Sequence, residues 1–441
     1  MNSQENQNNS RNGNSFFPLT GRFLFIKFYT MTFRMDSLIV TITSALDSVE
    51  KELLGASSNH GKRIAVLCTK MGKLLGKNTK EISGLTNCAL LHDNALTEYI
   101  LATRMGGHYD STMKKHCEYG QRNADLLGFN TNINNFILYH HERADGKGPY
   151  GIFEGGGPVE AELIAIADSI DVVRHLQNLK FDDLASVQKT IREETGKKFG
   201  KIAAQAMLEV MDWPTVESLK DEFINETSGA FLVPWVADME DKIIFNLVNF
   251  ITRIIDYKSV FTKHHSTQIA NMAYLMGKYY NYNQEEIMKL YLASALHDLG
   301  KLETPTAILE KPGKLTDDEF LIIKKHVFKT RKLLENIDGF QDICEWASNH
   351  HEKLNGTGYP FGKKADELDF NSRLMTCIDI YQAVREERPY HPPRSHKGAI
   401  LLLDKMADNG ETDKSIVNDI SIAMAPYDGT ELPSPESVKS L

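Results

Sequence analysis

The chain has 441 residues, a hydrophobic fraction of 41%, a charged fraction of 25% and a formal net charge of −9. That length exceeds one compact core and fits two domains at roughly 100–200 residues each, and the composition is that of ordinary soluble protein. An acidic chain is not built to grip a nucleic-acid duplex, which takes a broad basic face; a small anionic ligand needs only a local positive site, which bound metal can provide.

Residues 2–15 are rich in Asn and Ser and have little to bury, which predicts disorder. In the apolar stretch Phe16–Met35 the densest run, Phe23 to Ile26, is flanked by Arg22 and Lys27. It falls far short of the ~20 apolar residues of a membrane span. It also lacks the small-residue cleavage site of a signal peptide. Residues 1–35 therefore read as a disordered or mis-started leader, with Met31 or Met35 as alternative starts, and the chain as cytoplasmic without a membrane partner. Cys68, Cys88, Cys117, Cys344 and Cys377 are odd in number and form no C-x-x-C pair, so they read as buried thiols in a reducing compartment.

Helical periodicity then runs nearly throughout. Ile243–Ile255, Glu285–Leu296 (with Ile287, Leu290, Tyr291 and Ala295 on one face) and Arg373–Arg385 are amphipathic at helical spacing. Alternating β-branched runs are rare, so the predicted class is all-α.

The histidines expose an internal repeat. His60, His92 and Asp93 recur 205 residues later as His265, His297 and Asp298. His116, His140 and His141 recur 210 residues later as His326, His350 and His351, and Asp168 recurs 211 later as Asp379. Local text agrees: Ala89-Leu-Leu-His-Asp93 against Ser294-Ala-Leu-His-Asp298, and Tyr139-His-His-Glu142 against Asn349-His-His-Glu352. Ten of the fifteen histidines fall in these two sets, which chance would not arrange. The expected organisation is two tandem helical domains, 36–225 and 236–425, joined by a linker at 226–235 and followed by a flexible tail, 426–441. His264 has no counterpart in the first copy, where Asn59 stands, and His391 and His396 read as surface residues.

Donor counting gives the second copy a chemistry. Five histidines and two aspartates are too many ligands for one ion, which takes four to six and must keep a position open for catalysis. They suit two divalent ions if one carboxylate bridges, and Asp298, at the end of a helix, is the natural bridge. Gly300 is expected to close that helix in a left-handed cap. Ions ~3.5–4 Å apart hold a bridging hydroxide and stabilise the attacking and leaving oxygens of an in-line displacement, which is phosphoester chemistry. Lys301 lies one turn beyond, where it can hold a phosphate oxygen or protonate the leaving oxygen. The His/Asp mixture suits Fe or Mn, with Co, Ni or Zn as alternatives.

These residues resemble those of the HD-GYP phosphodiesterases, a branch of the HD superfamily. His297-Asp-Leu-Gly-Lys301 is similar to the HDxGK motif, and His350-His-Glu-Lys-Leu-Asn-Gly-Thr-Gly-Tyr-Pro360 to HHExxDGxGYP. Ile308–Thr316 is similar to the family's insert before the third histidine. The likeness covers nearly all of the second half. Three positions depart: Asn355 stands for the usual Asp, Thr330 for a frequent Gly, and Phe261 for a Glu that serves an additional metal in some members. The resemblance therefore implies two ions rather than three. It also implies hydrolysis of a cyclic dinucleotide, 3′,3′-cGAMP ranked before cyclic di-GMP because the tandem arrangement resembles the bacterial cGAMP-specific enzymes. Gly356, Gly358, Tyr359 and Pro360 form the substrate loop, Tyr359 either lining the pocket or packing.

The first half keeps a complete second set of candidate metal ligands, His60, His92, Asp93, His116, His140, His141 and Asp168. It has Leu96 where Lys301 stands, a segment five residues shorter after the HD pair, and the scrambled loop Gly148-Pro149-Tyr150. It is expected to bind metal at most, hydrolyse poorly, and act as a regulatory or homodimerising partner. Two other functions compete for the whole chain. A mononucleotide-cleaving HD nucleotidase would be expected to lack the Gly-Tyr-Pro loop. A non-catalytic HD-related binding module would have lost ligands, and the second half has lost none.

Overall fold

A computed structural model of the protein describes residues 32–98, 109–238, 240–259, 264–387 and 392–438. Most of the leader, Phe261 and His391 lie outside the described residues, as does the end of the tail.

Among the described residues the fold is all-α, with one short two-stranded sheet. Its first half comprises β1 (Thr32–Arg34), α1 (Met35–Leu54), α2 (His60–Leu74), α3 (Thr79–Leu90), α4 (Tyr109–Asp125), α5 (Val159–Arg174), α6 (Leu184–Glu194), α7 (Lys201–Val210) and α8 (Ile224–Phe231). The second comprises β2 (Val236–Asp238), α9 (Asp241–Asp256), α10 (His265–Tyr279), α11 (Gln284–Leu296), α12 (Asp317–Leu334), α13 (Gln341–Ser348), α14 (Phe370–Arg385), α15 (His396–Asp408) and α16 (Lys414–Ala423). Side-chain caps fix several starts. Asn78 with Glu81, Asn283 with Glu286 and Thr316 with Glu319 form reciprocal capping boxes at α3, α11 and α12.

The halves are interlocked. β1 pairs antiparallel with β2, Phe33 opposite Ala237, and each strand leads into the first helix of its own half. Phe33 crosses to the second half and packs on Phe340 with ring centroids 5.5 Å apart, while Trp235 packs on Phe129 of the first at 5.2 Å. At the end of α1, Glu52 accepts the Thr306 N–H at 2.7 Å and pairs with Lys258 at 2.6 Å. Arg253 of α9 reaches Asn123 of α4 at 3.2 Å.

Three expectations are corrected. Residues 32–35 are not disordered: Phe33 and Met35 are buried and the Met35 N–H bonds to the Trp235 carbonyl at 2.8 Å. The stretch read as a linker begins inside α8, where Lys62 bonds to Asn225 at 2.9 Å; Thr-Ser-Gly there is helical because the helix has tertiary packing to lean on. His396 is half-buried rather than on the surface, its ring held between the Tyr381 hydroxyl at 2.8 Å and the Ser421 carbonyl at 3.1 Å. All five cysteines are free and buried. Among the described residues no helix is long and apolar enough to cross a membrane.

Candidate metal centre

In the second half the seven predicted donors come from five separate elements. His265 opens α10, just after His264 in a left-handed conformation (φ 82°). Asp256, at the end of α9, accepts the Ser266 and Thr267 N–H groups at 2.9 and 3.3 Å and so seats that helix start. His297 ends α11 and Asp298 follows it; His326 lies midway along α12, His350 and His351 just after α13, and Asp379 on α14.

The donors divide around Asp298. Its Oδ2 faces His297 Nε2 at 3.2 Å and His265 Nε2 at 4.0 Å; His265 Nε2 is in turn 3.4 Å from Asp379 Oδ1. Its Oδ1 faces His326 Nε2 at 3.3 Å and His350 Nε2 at 3.9 Å, with the His351 ring centroid 4.2 Å from that of His350. His265, His297 and Asp379 form one group of potential ligand atoms within 4.8 Å of one another, and His326, His350 and His351 form another.

The imidazoles are aimed. His297, His326 and His350 direct Nδ1 at the carbonyls of Ser294, Ile323 and Ala347, each three residues back, at 2.6–2.7 Å. Nδ1 is then the protonated nitrogen and Nε2 turns inward with its lone pair, the tautomer a metal needs. His297 Nε2 and Asp298 Oδ1 are buried without a hydrogen-bond partner, which a divalent ion would resolve. Burial, followed by the neighbouring His351 and His297, pushes His350 well below its usual pKa, and burial pushes His351 down to about 3, shifts that favour the neutral imidazole a metal needs. Burial would raise Asp298, but His297 and Lys301 outweigh it and hold that carboxyl well below the usual range. Lys301 Nζ stands 2.5 Å from Asp298 Oδ2.

Sequence reasoning missed Glu386, near the end of α14, which accepts from His265 Nδ1 at 2.8 Å. Against the effect of burial, Glu386 and Asp379 raise His265 to about 10. The available signal was its place seven residues after Asp379, two turns along one helix face. Glu352 was missed too: its buried carboxylate accepts the Phe361 and Lys363 N–H groups at 2.7 and 2.9 Å and folds the Gly-Tyr-Pro loop back on itself. In that loop Gly356 is left-handed (φ 77°), and a Cβ at Gly358 would stand 2.4 Å from the Lys353 nitrogen. The Tyr359 ring lies against His351 with centroids 4.8 Å apart, and the Tyr359–Pro360 peptide is cis.

Two of the three departures, Asn355 and Thr330, have physical explanations. Asn355 accepts from the Thr357 N–H at 3.1 Å, the turn bond that Asp145 makes to Lys147 in the first half. Thr330 accepts the Gly300 N–H and donates to the His297 carbonyl, both at 3.0 Å, tying α12 to the HD turn. Gly300 is not the left-handed cap expected of it. It lies in a 3₁₀ turn, Leu299–Glu303, and its lack of a Cβ admits the backbone of α12.

The first half assembles its seven residues likewise. His60 Nε2 is 3.3 Å from Asp168, and Asp93 Oδ1 lies 3.0 Å from His116 Nε2 and 3.6 Å from His140 Nε2. Asp93, His116, His140 and His141 form one group of potential ligand atoms, His60, His92 and Asp168 another. Its scrambled loop keeps the same skeleton, Glu142 accepting from the Tyr150 and Ile152 N–H groups, but Tyr150 packs on Tyr139 instead of on the second histidine of the pair.

Comparison with known proteins accords with this geometry. Residues 249–416 match the family model described as HD domain, a stretch that includes all seven candidate donors of the second half. Over 391 residues the chain is 29% identical to the 3′3′-cGAMP-specific phosphodiesterase 1 of Vibrio cholerae serotype O1, covering 85% of this chain and 88% of that protein. It is 35% identical over 151 residues to a probable cyclic di-GMP phosphodiesterase of the same organism, covering 32% of this chain and 34% of that protein. A solved structure described as a cyclic GMP-AMP specific phosphodiesterase of V. cholerae superposes with a TM-score of 0.62 at 20% identity, covering 89% of this chain and 98% of that one, and establishes the shared fold.

Proposed function

We propose that the second half is a metal-dependent phosphodiesterase that opens a cyclic dinucleotide, 3′,3′-cGAMP before cyclic di-GMP, to the linear 5′-phosphorylated dinucleotide. The observation that carries this reading is that two imidazoles, His265 and His297, face Asp298 Oδ2 and two others, His326 and His350, face Oδ1, with Asp379 and His351 beside them. It fits two divalent ions, Fe or Mn before Co, Ni or Zn. Such ions, when bound, supply an activated water and offset the charge of the phosphodiester.

The chain's own residues do the rest. Glu386 fixes the ring of His265, and the carbonyls of Ser294, Ile323 and Ala347 fix those of His297, His326 and His350. Lys301, held beside Asp298, is placed to take a non-bridging phosphate oxygen or to give a proton to the leaving oxygen. Gly356 and Gly358 let the loop backbone come close to substrate, and Tyr359 braces His351 from the loop side. The first half, with Leu96 in place of the lysine, is assigned a supporting role without turnover. The names of the relatives support the substrate ranking.

The test is chromatography of products after incubation with 3′,3′-cGAMP, cyclic di-GMP and cyclic di-AMP under matched Mn²⁺ or anaerobic Fe²⁺. Linear product from the first, more slowly from the second, is expected, with loss of both in the His297→Ala, Asp298→Ala double variant. Inertness toward all three, or full turnover by the double variant, overturns the reading.

A further inference from the structure

We propose that the first half holds its own divalent-metal centre, in which Glu50 of α1 is an added donor with no counterpart among the described residues of the second half. Glu50 is not part of the repeat. It is 3% exposed, its Oε2 has no hydrogen-bond partner, and that atom lies 4.0 Å from His60 Nε2. With His60, Asp93, Leu96, Asp168 and Lys198 it lines a cavity of about 440 Å³. The carboxylates within 4.0 Å of His265 in the second half are Asp298, Asp379 and Glu386, from the HD turn and α14; α9 supplies none.

The surrounding shell orients the first-half imidazoles as a metal site requires. His92 and His140 direct Nδ1 at the carbonyls of Ala89 and Ile137, at 2.9 and 2.5 Å, which turns Nε2 inward. Both Nε2 atoms and Asp93 Oδ1 are buried without a hydrogen-bond partner. His60 is oriented by Asp171, 2.6 Å from Nδ1, and Asp171 is clamped by Arg63 at 2.9 Å. This orienting carboxylate comes from a different turn of the helix than Glu386 does, so the two halves have reached the same arrangement by different residues.

A supporting domain with no ligand would have no reason to keep this. Three carboxylates, Glu50, Asp93 and Asp168, face one cavity that His60, His116, His141 and Lys198 also line, with Lys198 hydrogen-bonded to Ser169 and the imidazoles being potential ligands themselves. Buried carboxylates of one sign are costly unless a cation pairs with them. The third carboxylate makes the donor set richer in oxygen than that of the second half, which favours Mn²⁺ or another hard divalent ion. The position of Leu96 in the wall, where the second half has Lys301, separates metal binding from turnover.

The experiment uses the full-length chain carrying His297→Ala and Asp298→Ala, so that the second half no longer competes for metal. Free Mn²⁺ is followed by EPR during titration and bound metal by mass spectrometry. The double variant is expected to retain Mn²⁺. Adding Glu50→Gln should weaken that binding about tenfold or more. Glu50→Asp, which keeps the charge and withdraws the donor, serves if the first variant does not fold by circular dichroism, and should weaken it also. Glu52→Gln, facing Thr306 and Lys258 from the same helix, should leave it unchanged. Absence of Mn²⁺ from the double variant, or titrations of the folded Glu50 variant that superpose on the parent, overturns the proposal. Neither result touches the assignment of the second half, which stands or falls on product formation by the wild-type chain.

Discussion

Gly300 lies so close beneath His326 that a Cβ on it would stand 2.1 Å from the His326 carbonyl oxygen and 2.8 Å from the Thr330 nitrogen. The turn that presents Asp298 and the helix that presents His326 are in backbone contact there, and the 3.3 Å between Asp298 Oδ1 and His326 Nε2 depends on it. Gly300→Ala must push α12 away. We expect a loss of about 1–3 kcal/mol in stability from the overpacking. Turnover should fall by more than that loss explains, because His326 leaves Asp298. Urea unfolding beside kcat at saturating Mn²⁺ checks this; unchanged kcat would show that the contact does not set the site.

The first half solves the same contact the other way round. Ala95 stands where Gly300 does, and Gly120 where Thr330 does. The histidine positions were legible because His has few reasons to recur at matched spacing over two hundred residues. The glycine exchange was not, since either glycine alone reads as a turn or a tolerated helix residue. Glu386 and Asp171 were illegible for a related reason: they do one job from different turns of equivalent helices, so the repeat that revealed the ligands hides them. β1 and β2, three residues each and two hundred apart in sequence, are too short to carry a period.

Glu386 bonds to His265 Nδ1, so any influence it has on a metal at the proposed centre runs through that ring. Glu386→Ala frees that ring and should lower Mn²⁺ affinity of the second half about 10–100-fold. Glu386→Gln, which can still accept from Nδ1, should lower it less and bring the His265 pKa down from about 10. Competition with a fluorescent chelator measures the first effect, NMR of the metal-free protein the second. Equal affinities for wild type and Glu386→Ala would mean that packing alone orients His265.

Lys301 is not among the seven proposed donors, so its loss should separate binding from chemistry. Lys301→Met is expected to keep the metal content of the wild type and lose kcat about 10²-fold or more, as for removal of a charge-stabilising donor. Leu96→Lys in the His297→Ala, Asp298→Ala background should not create turnover, because the first half also lacks the insert after its HD pair. Metal analysis beside single-turnover product formation decides both. A Lys301→Met protein without metal would instead make the lysine a structural neutraliser of Asp298.

Glu345 tests the scaffold under the paired histidines by pH. It takes Arg331 at 2.6 Å, Lys363 at 2.8 Å and the Asn349 side chain at 3.0 Å, one residue before His350. Burial would raise its pKa, but these partners lower it to about 2 from the ordinary 4.5. A depressed carboxylate contributes stability above its unfolded pKa and loses it as pH falls through the folded one. The wild type should therefore exceed Glu345→Gln in urea midpoint at pH 7, by a modest margin because the group is partly exposed. That margin should shrink from about pH 4.5 downward and vanish near pH 2. Added salt should narrow it at neutral pH as well, since both cations are near the surface. A margin that persists at pH 2 would assign the effect to the shape of the side chain and not to its charge.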